Sequence, residues 1–325
     1  MPRLRDLGRR IGHFPPGPLN AITDLAGVAV GHVTLIEGDR TRTGATAILP
    51  HPGNLFRDKR PAALAVLNGF GKFAGATQLQ ELGQLETPIL LTNTLAVGRG
   101  IEALLRHTLQ DPENARATSV NAVVGETNDG RLNDIRAARP SVDEMRLAIA
   151  AARPGPVAEG AVGAGTGTVA FGLKGGIGTA SRLVGGQRLG VLVQANYGGH
   201  LRIDGVAVDN LAAHDADGSI VIVLACDAAL DALTLRRLAT RAFGGLARTG
   251  AALSHGSGDY ALAFSTCAQP APQPEALLSL LFEAAIEATE EAILNALLMA
   301  EDMSGYDAAE DRPSQVRALR LDPAG

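Results

Sequence analysis

Apolar residues along this chain recur with two periods, every second position in some stretches and every third or fourth in others, so strands and helices alternate throughout. Short strands are predicted at 27–35 and 45–49, joined as a hairpin across the polar turn EGDRTRT, and again at 62–67 and 88–92. Between the last two, the glycine-bracketed stretch GKFAGATQLQELGQL reads as a helix. A second helix is predicted from Thr94 to Gln110, with Leu95, Ile101, Leu104 and Leu105 inside. A third opens at Pro140, where Ser141 is the N-cap and Glu144 the residue that reaches back to complete a capping box.

Residues 158–187 carry many glycines, and Val169, Phe171 and Leu173 alternate within them as a strand does. The piece Gly163-Ala164-Gly165 is not a dinucleotide fingerprint. That motif needs a preceding strand, a following helix and an acidic residue about 20 positions on, whereas strand-like alternation follows here and Arg188 is the nearby charge. A P-loop is excluded because no GK[ST] tripeptide occurs. Further strands at 189–195, ending at Asn196, and at 260–265 flank a helix at about 233–248. A long helix from about 275 to 301 carries its buried stripe on Leu277, Leu281, Ala284, Ala288, Ile293, Leu297 and Leu298.

The most apolar strand is the one that begins at Ser219. Ile220 to Leu224 are aliphatic without polar alternation, the pattern of a strand covered on both faces. Two aspartates, Asp215 and Asp217, and Gly218 form the turn before it. Strands in several runs, with helices able to cover outer faces, predict an α/β layered sandwich. With 325 residues, 46% hydrophobic content and no stretch that reads as a linker, one domain is expected; the Pro-rich AQPAPQPEA only precedes the last helix.

Composition removes several function classes. The net charge is −5 and no Lys/Arg cluster is interleaved with aromatics, which argues against a nucleic-acid partner. No apolar run reaches the roughly 20 residues of a membrane span, and no apolar h-region follows the basic MPRLRDLGRRIGHFPPG, so a cytoplasmic protein without a membrane partner is expected. Cys226 and Cys267 make no disulfide framework, and His13, His32, His51, His107, His200, His214 and His255 are scattered, so neither a metal nor an organic cofactor is expected.

The candidate chemistry lies at Gly218-Ser219, where the serine hydroxyl stands close to the carbonyl of the preceding peptide. No G-x-S-x-G elbow marks a nucleophile. Cleavage before Ser219 would supply the missing base, since the serine hydroxyl would then lie beside its own α-amine. A second run, TGAALSHGSGDYALAFST at 249–266, places Ser257 just ahead of another strand.

Together these runs resemble the family of L-aminopeptidase/D-esterase and β-peptidyl aminopeptidase enzymes, peptidase family S58, self-processing relatives in fold of ornithine acetyltransferase. The resemblance extends over most of the chain, through SVNAVVGETNDGRLNDIR at 119–136, VLVQANYGG, and the closing LFEAAIEATEEAILNALLMAEDMSG. It implies a four-layer αββα sandwich cleaved after Gly218 into 1–218 and 219–325. By the same resemblance Ser219 is the nucleophile, Asn196 the oxyanion-stabilising asparagine, Ser257 and Asp259 the pair that orients and polarises the α-amine, and Glu126 the acid that meets the substrate's ammonium. The substrate would be a small peptide, amide or ester with a free amino terminus, no cofactor would be needed, and the protein would assemble as a homo-oligomer. Two positions depart from the pattern: Asp259 stands where some relatives have glutamate, and Asn128 where some have a tyrosine that assists the oxyanion hole. Two other readings stay open on the sequence, an acyltransferase releasing the same acyl-enzyme to an amine, and an unprocessed binding protein that kept the fold.

Overall fold

The computed structural model describes residues 1–208 and 217–323; Asp215 and His214, read above as part of the turn and of the histidine set, lie outside the described residues. Two sheets stack face to face. The elements of the first half are β1 (Ala29–Glu37), β2 (Thr41–Leu49), β3 (Arg60–Gly69), α1 (Ala76–Glu81), β4 (Gln84–Leu85), β5 (Ile89–Asn93), α2 (Val97–Leu109), β6 (Val123–Thr127) and α3 (Val142–Ala150). There follow β7 (Val169–Ala170), β8 (Leu173–Lys174), β9 (Gly176–Val184), β10 (Gln187–Asn196), β11 (Arg202–Ile203) and β12 (Val206–Ala207). Last come β13 (Ser219–Cys226), α4 (Ala232–Arg248), β14 (Gly258–Ser265), α5 (Glu275–Leu298), β15 (Met303–Asp307) and β16 (Arg312–Val316).

One sheet runs β1-β2-β5-β6 and the other β4-β3-β14-β13-β10-β9. Helices α2 and α3 cover the outer face of the first, α4 and α5 that of the second. Between the sheets, Ile48, Leu91 and Val123 pack against Val221, Val223, Leu262 and Phe264, while Ile220, Ile222 and Leu224 face α4 and α5. This is the four-layer αββα sandwich, and every residue of β13 is buried, as its unbroken aliphatic run requires. No helix among the described residues is long and apolar enough to cross a membrane.

The capping box at Ser141 and Glu144 forms as expected. Four local readings are corrected. The stretch after Gly71 is helical only over Ala76–Glu81. Helix α2 begins at Val97, because Asn93 takes the Leu95 N–H on its side chain and the Ala96 N–H on its carbonyl, closing a turn that leaves Leu95 exposed. Val169 to Leu173 is a tight hairpin: Phe171 and Gly172 both have positive φ (55° and 73°), and the buried Phe171 ring packs edge-on against Tyr197. Leu277 is only partly buried, and from Glu287 onward α5 is buried on all sides rather than along a stripe. Its carboxylates are paired: Arg182, fully buried, reaches Glu287 at 3.1 Å and Glu291 at 2.8 Å, and Arg5 meets Glu291 at 2.7 Å. Charges this deep persist only when matched and hydrogen-bonded, so the N-terminal segment is tied to the last helix.

Candidate active site

Strands β10 and β13 expose an end on one cleft of about 980 Å³, and Ser219 opens β13, which lies between β10 and β14. Its register partners are Asn196 on the antiparallel side and Gly258 on the parallel side. Parallel pairing starts there, so the Gly258 N–H is free to turn toward the residues before the strand. It donates to the Gly218 carbonyl at 3.0 Å and lies 3.3 Å from Ser219 Oγ. Neither glycine tolerates a side chain: a Cβ on Gly218 would come within 2.3 Å of the Asn196 carbonyl oxygen, and one on Gly258 within 2.8 Å of the Phe70 carbonyl oxygen.

Asn196 is buried and its Oδ1 accepts the Val169 N–H at 2.9 Å, which fixes the amide so that Nδ2 is left for the cleft. Val169 is held in turn by Lys174, whose Nζ donates to the carbonyls of Gly165, Thr168 and Gly175 at 2.8–2.9 Å. The structure thus explains the glycine-rich stretch: it wraps a buried lysine and presents one N–H to Asn196.

Ser257 donates its hydroxyl to Asp259 Oδ1 at 2.6 Å, and both are buried beside Ser219. Asp259 Oδ2 has no hydrogen-bond partner among the described residues. Burial pushes the Asp259 carboxyl above its usual range, with the Ser257 bond pulling back. A buried carboxylate oxygen left open is costly unless a donor arrives.

Glu126, at the end of β6, lines the same cleft and is 2% exposed. Its Oε1 accepts the Lys72 N–H at 2.8 Å; burial raises its pKa, against the pull of Lys72 and Thr94. Lys72 donates Nζ to Thr94 at 2.8 Å and also lines the cleft, as do Arg131 and Arg136. Asn128 lines the cleft with its Oδ1 turned to the Gly130 N–H at 2.9 Å. The tyrosine missing at that position has a neighbour in Tyr260, which sequence reasoning passed over. Its ring edge packs at Gly258, its hydroxyl lies beside Glu126 and Gly71, and burial, with Glu126 and Asp259 adding, pushes it up to about 12.

Of the five side chains singled out from the sequence, Ser219, Asn196 and Glu126 line one cleft, and Ser257 and Asp259 are buried on either side of Gly258, the register partner of Ser219. A hydroxyl at the end of a buried central strand, beside an amide donor and a hydroxyl–carboxylate pair within an αββα sandwich, is the layout of an N-terminal-nucleophile hydrolase. The model of peptidase family S58 matches residues 20–310, and the chain belongs to that family. Its fold superposes on a Burkholderia sp. β-aminopeptidase with a TM-score of 0.90, 42% identity and coverage of 98% and 96% of the two chains. The L-aminopeptidase D-Ala-esterase/amidase of Ochrobactrum anthropi, a variant of the Ntn hydrolase fold, gives a TM-score of 0.87 at 37% identity with the same coverage. The β-peptidyl aminopeptidase of Sphingosinicella xenopeptidilytica is 40% identical over 95% of this chain and 88% of its own. The chain is accordingly a hydrolase of the aminopeptidase type, and neither the acyltransferase nor the binding-protein reading is favoured.

Proposed function

We propose that the chain cuts itself between Gly218 and Ser219 and then releases N-terminal residues from short peptides, amides or esters through an acyl-enzyme on Ser219. In the first step Ser219 Oγ forms a bond to the Gly218 carbonyl carbon, the bond from that carbon to the Ser219 nitrogen breaks, and the hydroxyl proton passes to the nitrogen. Water then hydrolyses the ester, leaving a Gly218 carboxylate and a free Ser219 amine. That amine is the base for turnover, with a reference pKa of about 7.7 to 8.0. Asn196 Nδ2 and the Gly258 N–H are the donors for the developing oxyanion, Ser257 and Asp259 orient the amine, and Glu126 receives the substrate's ammonium. The observation that carries this reading is the Gly258 N–H on the Gly218 carbonyl, with Ser219 Oγ beside it.

Mass analysis of the purified protein tests it. Two pieces are expected, residues 1–218 and 219–325, with Ser219 as the new N-terminus; active protein that remains one intact chain overturns the mechanism.

Replacing Asn196 by Ala is expected to lower kcat by about 10²- to 10³-fold, the cost of removing one oxyanion donor, with KM little changed. A kcat within a few-fold of wild type would reduce Asn196 to a strand-end cap for Val169.

A further inference from the structure

The turn from Leu253 to Gly258 has contacts that turnover of an external substrate does not call for. Ser254 donates its hydroxyl to the Asp217 carboxylate at 2.8 Å, two residues before Ser219. Gly256 lies against the same carboxylate, so that a Cβ built there would stand 2.5 Å from Asp217 Cγ. The Gly258 N–H then takes the Gly218 carbonyl. Asp217, Gly218 and Ser219 are thus each met by the same turn.

The turn is itself held firmly. Asn68 Nδ2 lies within hydrogen-bonding distance of the carbonyls of Ser254, His255 and Ser257. Asn68 pairs with Asp259 at a β-bulge, where β3 carries one extra residue, Leu67, between the partners of Asp259 and Tyr260. Bulges re-aim side chains beside active sites. Leu253 adopts φ 49°, a conformation that a bulky residue keeps only where its surroundings over-determine it.

We infer that the 254–258 turn is a template for self-cleavage, with Asp217 and Ser254 as positioning residues that act on the cut and not on later turnover. The inference rests on the reading of Ser219 as a self-cleaving nucleophile. Before the cut, the segment carrying the Gly218 carbonyl must be aimed at Ser219 Oγ, and the Asp217 contact fixes it from the upstream side. After the cut, an external substrate brings its own carbonyl to the Gly258 N–H, and nothing in it occupies the place of Asp217.

Freshly synthesised wild type, Ser254→Ala, Asp217→Ala and Asp217→Asn are followed by electrophoresis and mass analysis for the rate of cleavage. Each is then allowed to finish, and kcat and KM on alanyl p-nitroanilide are measured per cleaved molecule. Ser254→Ala and Asp217→Ala are expected to cleave roughly fivefold to tenfold more slowly, the worth of one partly exposed hydrogen bond to a charged group. Asp217→Asn keeps an acceptor for the Ser254 hydroxyl and cleaves near the wild-type rate, and kcat and KM are unchanged in all three. Equal losses in cleavage and turnover would make the turn merely structural and overturn the inference, as would wild-type cleavage rates in Ser254→Ala and Asp217→Ala. A wild-type chain that stays whole overturns the self-cleavage reading beneath it instead.

Discussion

Ser219→Ala is expected to give a folded chain that stays whole and hydrolyses nothing. The substitution removes one oxygen from a site that is 6% exposed. The Gly258 N–H, which loses Ser219 Oγ at 3.3 Å, retains the shorter bond to the Gly218 carbonyl. No buried donor is orphaned, so the cost in stability stays within about 1 kcal/mol. On the proposed mechanism both reactions lose their attacking oxygen, and loss of a hydrolase nucleophile lowers kcat by something of the order of 10⁶. Electrophoresis, a thermal melt and a p-nitroanilide assay on the same preparation measure all three consequences. A variant that melts like wild type yet appears as two pieces would mean that a foreign protease makes the cut.

A free amino terminus on the substrate is the second requirement, and acetylating it is expected to nearly abolish hydrolysis. Glu126 is buried, and its pairing with a substrate ammonium would be a charge-assisted contact in a closed site. Removing one partner of such a pair costs about 2 to 5 kcal/mol, or roughly 30-fold to several thousand-fold in kcat/KM. The Lys72 ammonium, held on Thr94 at the same end of the cleft, draws the effect toward the lower figure. Glu126→Gln is expected to shrink the preference for alanyl over acetyl-alanyl p-nitroanilide. The acid side of the pH profile follows from the same burial: with its pKa raised, Glu126 loses charge at a higher pH than an exposed glutamate, so kcat/KM for the free amine falls as pH drops through that raised value. On the proposed mechanism activity is also expected to rise with pH through the α-amine of Ser219, which would have to be neutral to act as a base. Glu126→Gln should erase the first limb and keep the second. Comparable wild-type rates on the two substrates would refute the assignment of Glu126.

The parts of the fold and of the site that local sequence reveals are those fixed by local chemistry. Ser219 stands out because a polar residue opens a strand with no polar alternation, and Ser141 with Glu144 because a capping box closes within one turn. What stayed hidden depends on partners far along the chain. Asn68 meets its turn across nearly two hundred positions, Lys174 is wrapped by backbone carbonyls that carry no side-chain signature, and the Gly258 N–H is a backbone group whose role comes from where parallel pairing starts. The same limit explains the misread ends. Leu95 fits a helical period, yet Asn93 diverts the backbone before the helix begins. The glutamates of α5 fall outside the stripe read from the sequence, and their burial depends on Arg182 and Arg5 being brought to them.

The order of strands in the larger sheet would give the proposed cut a direction in time. Strands β13 and β14, which follow the Gly218-Ser219 bond, lie side by side between β3 and β10, which precede it. Before cleavage, assembly of that sheet is a first-order event within one chain, at a local concentration set by the connecting loop. After cleavage the two polypeptides are interleaved, and either can leave only by opening the sheet on both sides. Once it has opened, their reunion is a second-order encounter that slows with dilution. A molecule cut there would therefore inherit an arrangement that only the whole chain reaches in one step, and its endurance would be governed by how slowly the sheet unzips rather than by an equilibrium it could readily re-establish.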